Sequence, residues 1–195
     1  MSSKRSPLLR ERGVTFIELI VFIVIVGVAL TAVLGVLSMT TRNSADPLRR
    51  KQALMIAEGL LEEVELARFT YCQPEADNAD TATSAADCAG GMSENWGAEG
   101  AGTRPFDNIN DYVAAANQAS TVFSAGGQLL DANGNAMPIG GYTAKVTVTP
   151  QALGGIGATG ASANTEVLRI RVEVGFGNDK VVLDGFRMRY APNFL

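Results

Sequence analysis

From Val14 to Met39 the chain runs through 26 residues with a single charged position, Glu18. About 20 apolar residues cross a bilayer as a helix, so this pattern predicts a membrane-spanning helix. A removable secretory signal would have an apolar core of roughly 7–15 residues followed by a small-x-small site. Here the core is longer, and the residues near its end, such as Val36 and Ser38, fit such a site poorly. Past this run the hydrophobic pattern becomes one-sided. Leu54, Ala57, Leu61 and Val64 recur at steps of three and four, which predicts an amphipathic helix with Glu62, Glu63 and Glu65 mostly off its stripe. Between the two stretches lies Ser44-Ala45-Asp46-Pro47. Asp46 and Pro47 suit an N-cap and first turn, so a second helix can begin there; the alternative is one long helix kinked at Pro47. Either way the pattern gives a helical spine from about Thr15 to Arg68.

The last third alternates with period two. In "YTAKVTVT" (142–149), Tyr142, Ala144, Val146 and Val148 share a face. In "VLRIRVEVGF" (167–176), Leu168, Ile170, Val172 and Val174 point inward and Arg169, Arg171 and Glu173 outward. "VVLDGFRMRY" (181–190) places Val182, Phe186, Met188 and Tyr190 together, with Asp184-Gly185 as a bulge or edge signal. Gly177-Asn178-Asp179 reads as the hairpin turn between the last two strands. One apolar and one wet face predict an antiparallel sheet covered on a single side, and the helical spine supplies the cover. The expected fold is therefore α+β, a long N-terminal helix packed on a C-terminal antiparallel sheet.

Residues 70–105 break both patterns. They contain no Leu, Ile or Val, and six acidic residues against Arg104 alone, so they read as a long surface loop without a core of its own. Both cysteines, Cys72 and Cys88, lie in it. If this part lies outside the cytoplasm, a Cys72–Cys88 disulfide closes a loop of about 15 residues and contributes roughly 3 kcal/mol on the chain-entropy account. A metal pair is the weaker alternative, since histidine is absent and there is no further cysteine.

Charge sharpens the division of the chain. The first thirteen residues carry Lys4, Arg5, Arg10 and Arg12 against Glu11, and removing them shifts the formal charge from -4 to -7. An acidic body argues against a general nucleic-acid binder. Arg42, Arg49, Arg50 and Lys51 flank the far side of the apolar run, so charge alone gives only a weak vote for a cytoplasmic N-terminus.

The basic leader ends at Gly13, and Val14-Thr15-Phe16-Ile17-Glu18-Leu19 follows. This resembles the processing site of type IV prepilins and the related pseudopilins: a glycine, a hydrophobic residue, and a glutamate as the fifth residue after the cut. The first mature residue departs from the pattern, with Val14 where phenylalanine is commoner. The resemblance implies that a prepilin peptidase cleaves between Gly13 and Val14 and methylates the new amino terminus. It implies that Glu18 neutralises the terminus of a neighbouring subunit and fixes register during assembly. A carboxylate within lipid is costly unless paired, and Glu18 sits about 6 Å of helix rise past that new cation. The bland alternative is a glutamate shallow enough to reach the headgroups.

The stretches "SADPLRRKQALMIAEGLLEEVELARF", "FDNINDY" and "VVLDGFRMRYAP" further resemble minor pilins of the mannose-sensitive haemagglutinin (MSHA) type. That resemblance implies a cleaved leader (1–13), a transmembrane and filament-core helix (14–42), its amphipathic continuation (43–69) and a globular head (70–195). It implies an inner-membrane protein with a cytoplasmic N-terminus and a periplasmic head, later part of a pilus at the cell surface. The implied partners are the prepilin peptidase, major and other minor pilins, the pilus assembly platform and the inner membrane, with no cofactor. A pseudopilin of a type II secretion system shares the same N-terminus and is the alternative.

Other chemistry is thin. Asp131, Asn133 and Asn135 alternate like the opening ligands of a calcium loop, but the downstream bidentate acid is missing and Asn133-Gly134 makes a tight turn by itself. Asp107 and Asp111 in "FDNINDY" fit a polar loop or short helix. "GGIGATG" (154–160) lacks a following helix and a Lys-Ser/Thr pair, so it reads as a flexible loop. Without histidine, a nucleophile elbow or a phosphate loop, the sequence offers no catalytic constellation. A head that binds DNA or a surface would need Arg169, Arg171, Arg187 and Arg189 to form one basic stripe; a solvated face relieved by Glu173 is the simpler account.

Overall fold

The computed structural model describes residues 13–44, 46–99 and 102–189. The leader up to Arg12, Ala45, Tyr190 and the residues after it lie outside them. The chain divides into two compact units that meet between Pro47 and Leu48.

The first unit is one helix, α1 (Phe16–Ser44). Thr15 starts it. The Thr15 hydroxyl accepts from the Glu18 backbone N–H at 3.3 Å, and the Thr15 carbonyl accepts from Leu19 N–H at 3.1 Å. A helix satisfies its own backbone polar groups, which lets so apolar a run exist in a continuous element without water. Helix is also found on the far side of Ala45, as α2 (Asp46–Leu66), with Pro47 in its first turn where no intrahelical donor is required.

The second unit is built on a four-stranded antiparallel sheet in the order β1-β4-β5-β6. Its strands are β1 (Ala119–Ser120), β4 (Tyr142–Pro150), β5 (Val167–Phe176) and β6 (Asp179–Met188). A separate small hairpin joins β2 (Ser124–Ala125) to β3 (Gln128–Leu129). The α+β expectation holds at this level: an apolar N-terminal helix, then a helix and an antiparallel sheet.

The inner face of the sheet is set by matched pairs. Tyr142 lies opposite Phe176, Ala144 opposite Val174, Val146 opposite Val172 and Val148 opposite Ile170. All eight are buried, as the alternation in β4 and β5 predicts. The two aromatic rings of the first pair are 6.5 Å apart. Helix α2 covers this face. Ala53, Ala57 and Val64 are fully buried, Leu60 and Ala67 nearly so, and the Tyr142 hydroxyl donates to Gln52 Oε1 at 2.6 Å. The buried stripe is thus 53-57-60-64-67. Leu54 is 37% exposed and Leu61 only partly buried, so the predicted stripe of Leu54, Ala57, Leu61 and Val64 is turned toward its neighbours. Three alanines, with Leu60 and Val64, mark the contact line.

Strand β6 corrects the sequence reading more sharply. The turn into it has two residues, not three: Phe176 pairs with Asp179, and Gly177 takes φ 59°. A glycine in the first corner fits a type II′ hairpin loop. Removing one residue from the loop reverses the side-chain parity of everything after it. Val181, Leu183 and Gly185 therefore face the core, while Val182, Phe186 and Met188 are 38%, 47% and 48% exposed. Asp184-Gly185 carries no bulge; its pairing with β5 is continuous, on an edge strand. Gly185 lies close under α2: a Cβ there would be 3.1 Å from Leu61 Cδ1 and would run into the Glu65 carboxylate, so both side-chain ends would have to move aside.

The stretch 70–99 is more organised than its composition predicts. Cys72 and Cys88 form a disulfide. Ala76, Ala79 and Ala82 pack around it, with Tyr71 and Met92 alongside, so the loop has a miniature core of alanines and sulfur. Asn78 straps it internally, donating to Asp87 O at 2.7 Å and accepting from Ala89 N–H at 2.8 Å. Arg189 then ties it to the sheet. Its guanidinium lies 3.9 Å from the Phe69 ring centroid and 4.0 Å from that of Tyr71, and it donates to the carbonyls of Thr165 and Ala163. Burial holds the Arg189 guanidinium down to about 10, and burial plus the hydrogen bond to Glu166 pushes the Tyr71 hydroxyl up to about 12.

Candidate functional site

The residues that the sequence marks as functional converge at the start of α1. Gly13, Val14 and Thr15 precede the helix as irregular chain, and Val14 is 70% exposed. A peptide bond here is accessible, and it is not locked in helical hydrogen bonds. Glu18 stands in the first turn, three residues after the capping Thr15. Thr15-x-x-Glu18 is a capping-box sequence, and a carboxylate at this place also complements the positive end of the helix dipole. The sequence reading gives Glu18 an assembly role or a place near the headgroups; the capping by Thr15 is a further, local role that the Thr-x-x-Glu spacing signals.

From Leu19 to Met39 the helix carries no charge, and its surface is almost wholly apolar. Phe16–Met39 is 24 residues long, its most apolar 18-residue window has a mean hydropathy of 3.1, and none of that window is buried within the chain. At 1.5 Å per residue this covers about 36 Å, more than the hydrocarbon thickness of a bilayer. One N-terminal helix is thus long and apolar enough to cross a membrane. Phe22, Val24, Val28, Leu34 and Leu37 are all more than half exposed, an arrangement that water penalises heavily unless lipid or other helices cover it.

The second unit brings together groups that the sequence did not connect. Arg104, which is buried, places Nε 2.8 Å from Glu63 Oε1 and Nη2 2.6 Å from Glu63 Oε2. The Tyr112 hydroxyl donates to the same Glu63 Oε1 at 3.1 Å, Arg104 Nη1 donates to Leu130 O, and the guanidinium stacks 4.6 Å from the Phe123 ring centroid. This bidentate pair fastens α2 to the segment that follows the disulfide loop. It also forms part of the wall of a groove of about 1010 Å³ that Met55, Leu66, Phe106 and Met137 line.

Other candidates resolve into structure. Asp131 Oδ1 accepts from the backbone N–H groups of Asn133 and Asn135 at 2.9 and 2.8 Å, with Gly134 at φ 81°, so "DANGN" is a turn held by its own aspartate. Asp111 belongs to a short 3₁₀ helix, Ile109–Tyr112, and its carboxylate accepts from Asn108 N–H at 3.1 Å. Asp107 contributes its backbone carbonyl to Arg68 N–H. The four arginines do not make a stripe. Arg171 is taken by Asp184 through two 2.8 Å hydrogen bonds, Arg187 lies opposite Leu168 and so on the other face from Arg169, and Arg189 is spent on Phe69 and Tyr71.

No family model matches this chain, and neither does any curated protein or solved structure.

Proposed function

We propose that this chain is a minor pilin-like structural subunit of a type IV, MSHA-type filament. On this reading a prepilin peptidase cuts between Gly13 and Val14, and the mature chain assembles through α1. The observation that carries the reading is the arrangement at the start of α1: an accessible Gly13–Val14 bond, a carboxylate one turn beyond it, and then a fully exposed apolar helix. Each part has a physical task. Cleavage creates a cation at Val14, Glu18 offers its counter-charge to the terminus of an adjacent subunit, and the pairing removes two unfavourable charges from an apolar bundle at once. The apolar surface first holds the subunit in the inner membrane, then becomes the lateral contact with major and minor pilins when the assembly platform extracts it. The sheet-bearing unit remains outside and faces its neighbours.

The test is mass spectrometry of the mature N-terminus from cells with and without the prepilin peptidase. A terminus at methylated Val14 that depends on the peptidase supports the reading. An intact leader, or a cut near Ser38, refutes it.

A further inference from the structure

Three carboxylates meet where the disulfide loop ends and the 3₁₀ helix begins. Glu94, Glu99 and Asp111 each bring an oxygen to within 4.8 Å of the other two. Glu94 is only 1% exposed, and both of its carboxylate oxygens lack a hydrogen-bond partner. Its position is fixed from the backbone, where Glu94 N–H donates to Tyr71 O at 2.8 Å. Asp111 is buried as well. Its Oδ2 receives Asn108 N–H, while its Oδ1 has no partner. Glu99 is exposed and forms the open side of the cluster.

A buried carboxylate with neither hydrogen bond nor counter-ion is among the costliest features a fold can carry, and native structures rarely keep one. Among the described residues no basic side chain forms an ion pair with these three carboxylates. Arg189 is near enough to feel the charge of Glu94, and its Nη1 is buried without a partner, but neither oxygen of Glu94 is hydrogen-bonded to it; its Nε and Nη2 donate to Thr165 and Ala163, and its planar face lies against Phe69 and Tyr71. Asp107 adds further negative field. The cluster therefore holds either protons or a cation.

The chemistry selects the cation. Oxygen is the only donor on offer, because histidine is absent and both cysteines are in the disulfide. That excludes sites of the zinc and copper type and favours hard ions. Calcium–oxygen distances of about 2.3–2.6 Å put oxygens on opposite sides of the ion about 4.6–5.2 Å apart. An oxygen spread within 4.8 Å thus fits around one such ion. Three carboxylates, two of them buried and one at the solvent side, also suit an ion that keeps some water. We propose that Glu94, Glu99 and Asp111 form a calcium-binding site that locks the disulfide loop to the 3₁₀ helix at Ile109–Tyr112. This assignment does not rest on the filament reading.

Trp96, the single tryptophan, lies between two of the ligands in the chain and gives the site a probe. Full-length protein in detergent micelles, stripped with chelator, is titrated with Tb³⁺ while tryptophan is excited. The expected result is sensitised Tb³⁺ emission that Ca²⁺ displaces, with affinity reduced at least tenfold in Glu94→Gln and in Asp111→Asn. At a hundredfold excess over Kd, Ca²⁺ should raise the melting temperature of the wild type by about 5–10 °C and leave Glu94→Gln unmoved. Without calcium, Glu94→Gln should melt no lower than the wild type, since it removes a buried acid. Should that variant fail to fold, the exposed Glu99→Gln takes its place, with a several-fold loss expected. The proposal is overturned if Ca²⁺ displaces no Tb³⁺ emission, if the variants that fold bind as the wild type does, or if Mg²⁺ competes and Ca²⁺ does not.

Discussion

Replacing Arg104 with methionine tests the account of what holds α2 in place. Arg104 and Glu63 are a buried pair, with side chains 4% and 11% exposed, joined by two short hydrogen bonds. Removing one partner strands the other charge, and that costs about 3–5 kcal/mol. Glu63 would keep only the Tyr112 hydroxyl, one neutral donor for a carboxylate that had three. For a unit of roughly 150 residues, a loss of this size lowers the melting temperature by about 6–20 °C. Arg104→Lys keeps the charge and loses the fork, so it should cost an intermediate amount, about 1.5–3 kcal/mol. The triple replacement Arg104→Met, Glu63→Leu and Tyr112→Phe removes every polar atom of the cluster together and should recover most of the loss, because a well-packed apolar substitute for a buried pair is often neutral. The assay is thermal unfolding of the full chain in detergent, followed by near- and far-ultraviolet circular dichroism. If Arg104→Met costs less than about 1 kcal/mol, or if the triple variant is no better than the single one, the pair is not the fastening that its geometry indicates.

Three further outcomes are expected. Replacing Cys72 and Cys88 together by serine should lower stability by about 3 kcal/mol, the value for releasing a loop of this length, read as the melting temperature with and without reductant; a change near zero would mean that the alanine cluster alone holds the loop. Gly185→Val should cost about 1–3 kcal/mol by overpacking β6 against Leu61 and Glu65, and pairing it with Leu61→Ala should return part of that in the same melt. Glu18→Ala should leave membrane insertion and leader cleavage intact and abolish incorporation into filaments, as measured by immunoblot of sheared surface fibres against whole cells; undiminished incorporation would deny Glu18 its assembly role.

How much of this was legible in the sequence depends on whether a signal was local. The apolar run, the inward faces of β4 and β5 and the end of α1 at Thr15 and Glu18 are written in neighbouring residues, and period alone recovers the first two. Strand β6 shows the limit. Its two faces, Val181-Leu183-Gly185 and Val182-Phe186-Met188, are both partly apolar, so hydrophobicity favours the larger residues and selects the wrong face. The decision lies in the length of the turn. Phe176 faces the core, a two-residue loop makes Asp179 its partner, and every later residue follows by parity. The shift in α2 has a similar cause: a reading weighted by hydrophobicity undervalues Ala53 and Ala67, which are buried while Leu54 is 37% exposed.

The polar sites were illegible for a different reason. Glu63 and Arg104 are 41 residues apart, and Glu94 and Asp111 come from separate segments of a stretch that reads as solvated loop. Among acidic residues in such a stretch nothing in the sequence tells a buried carboxylate from an exposed one. Glu94 and Glu99 have similar composition around them and opposite fates, one buried on a segment that hydrogen-bonds to Tyr71 through its backbone and one in water. What separates them is the disulfide. Closing Cys72 onto Cys88 folds the alanine cluster inward and brings Tyr71 against the strand-like segment at Ser93 and Glu94. The places of the charged residues in this loop therefore depend on a covalent closure that the two cysteines announce. Of the two kinds of evidence in the sequence, the cysteines indicate order in the loop more strongly than the missing leucines indicate its absence.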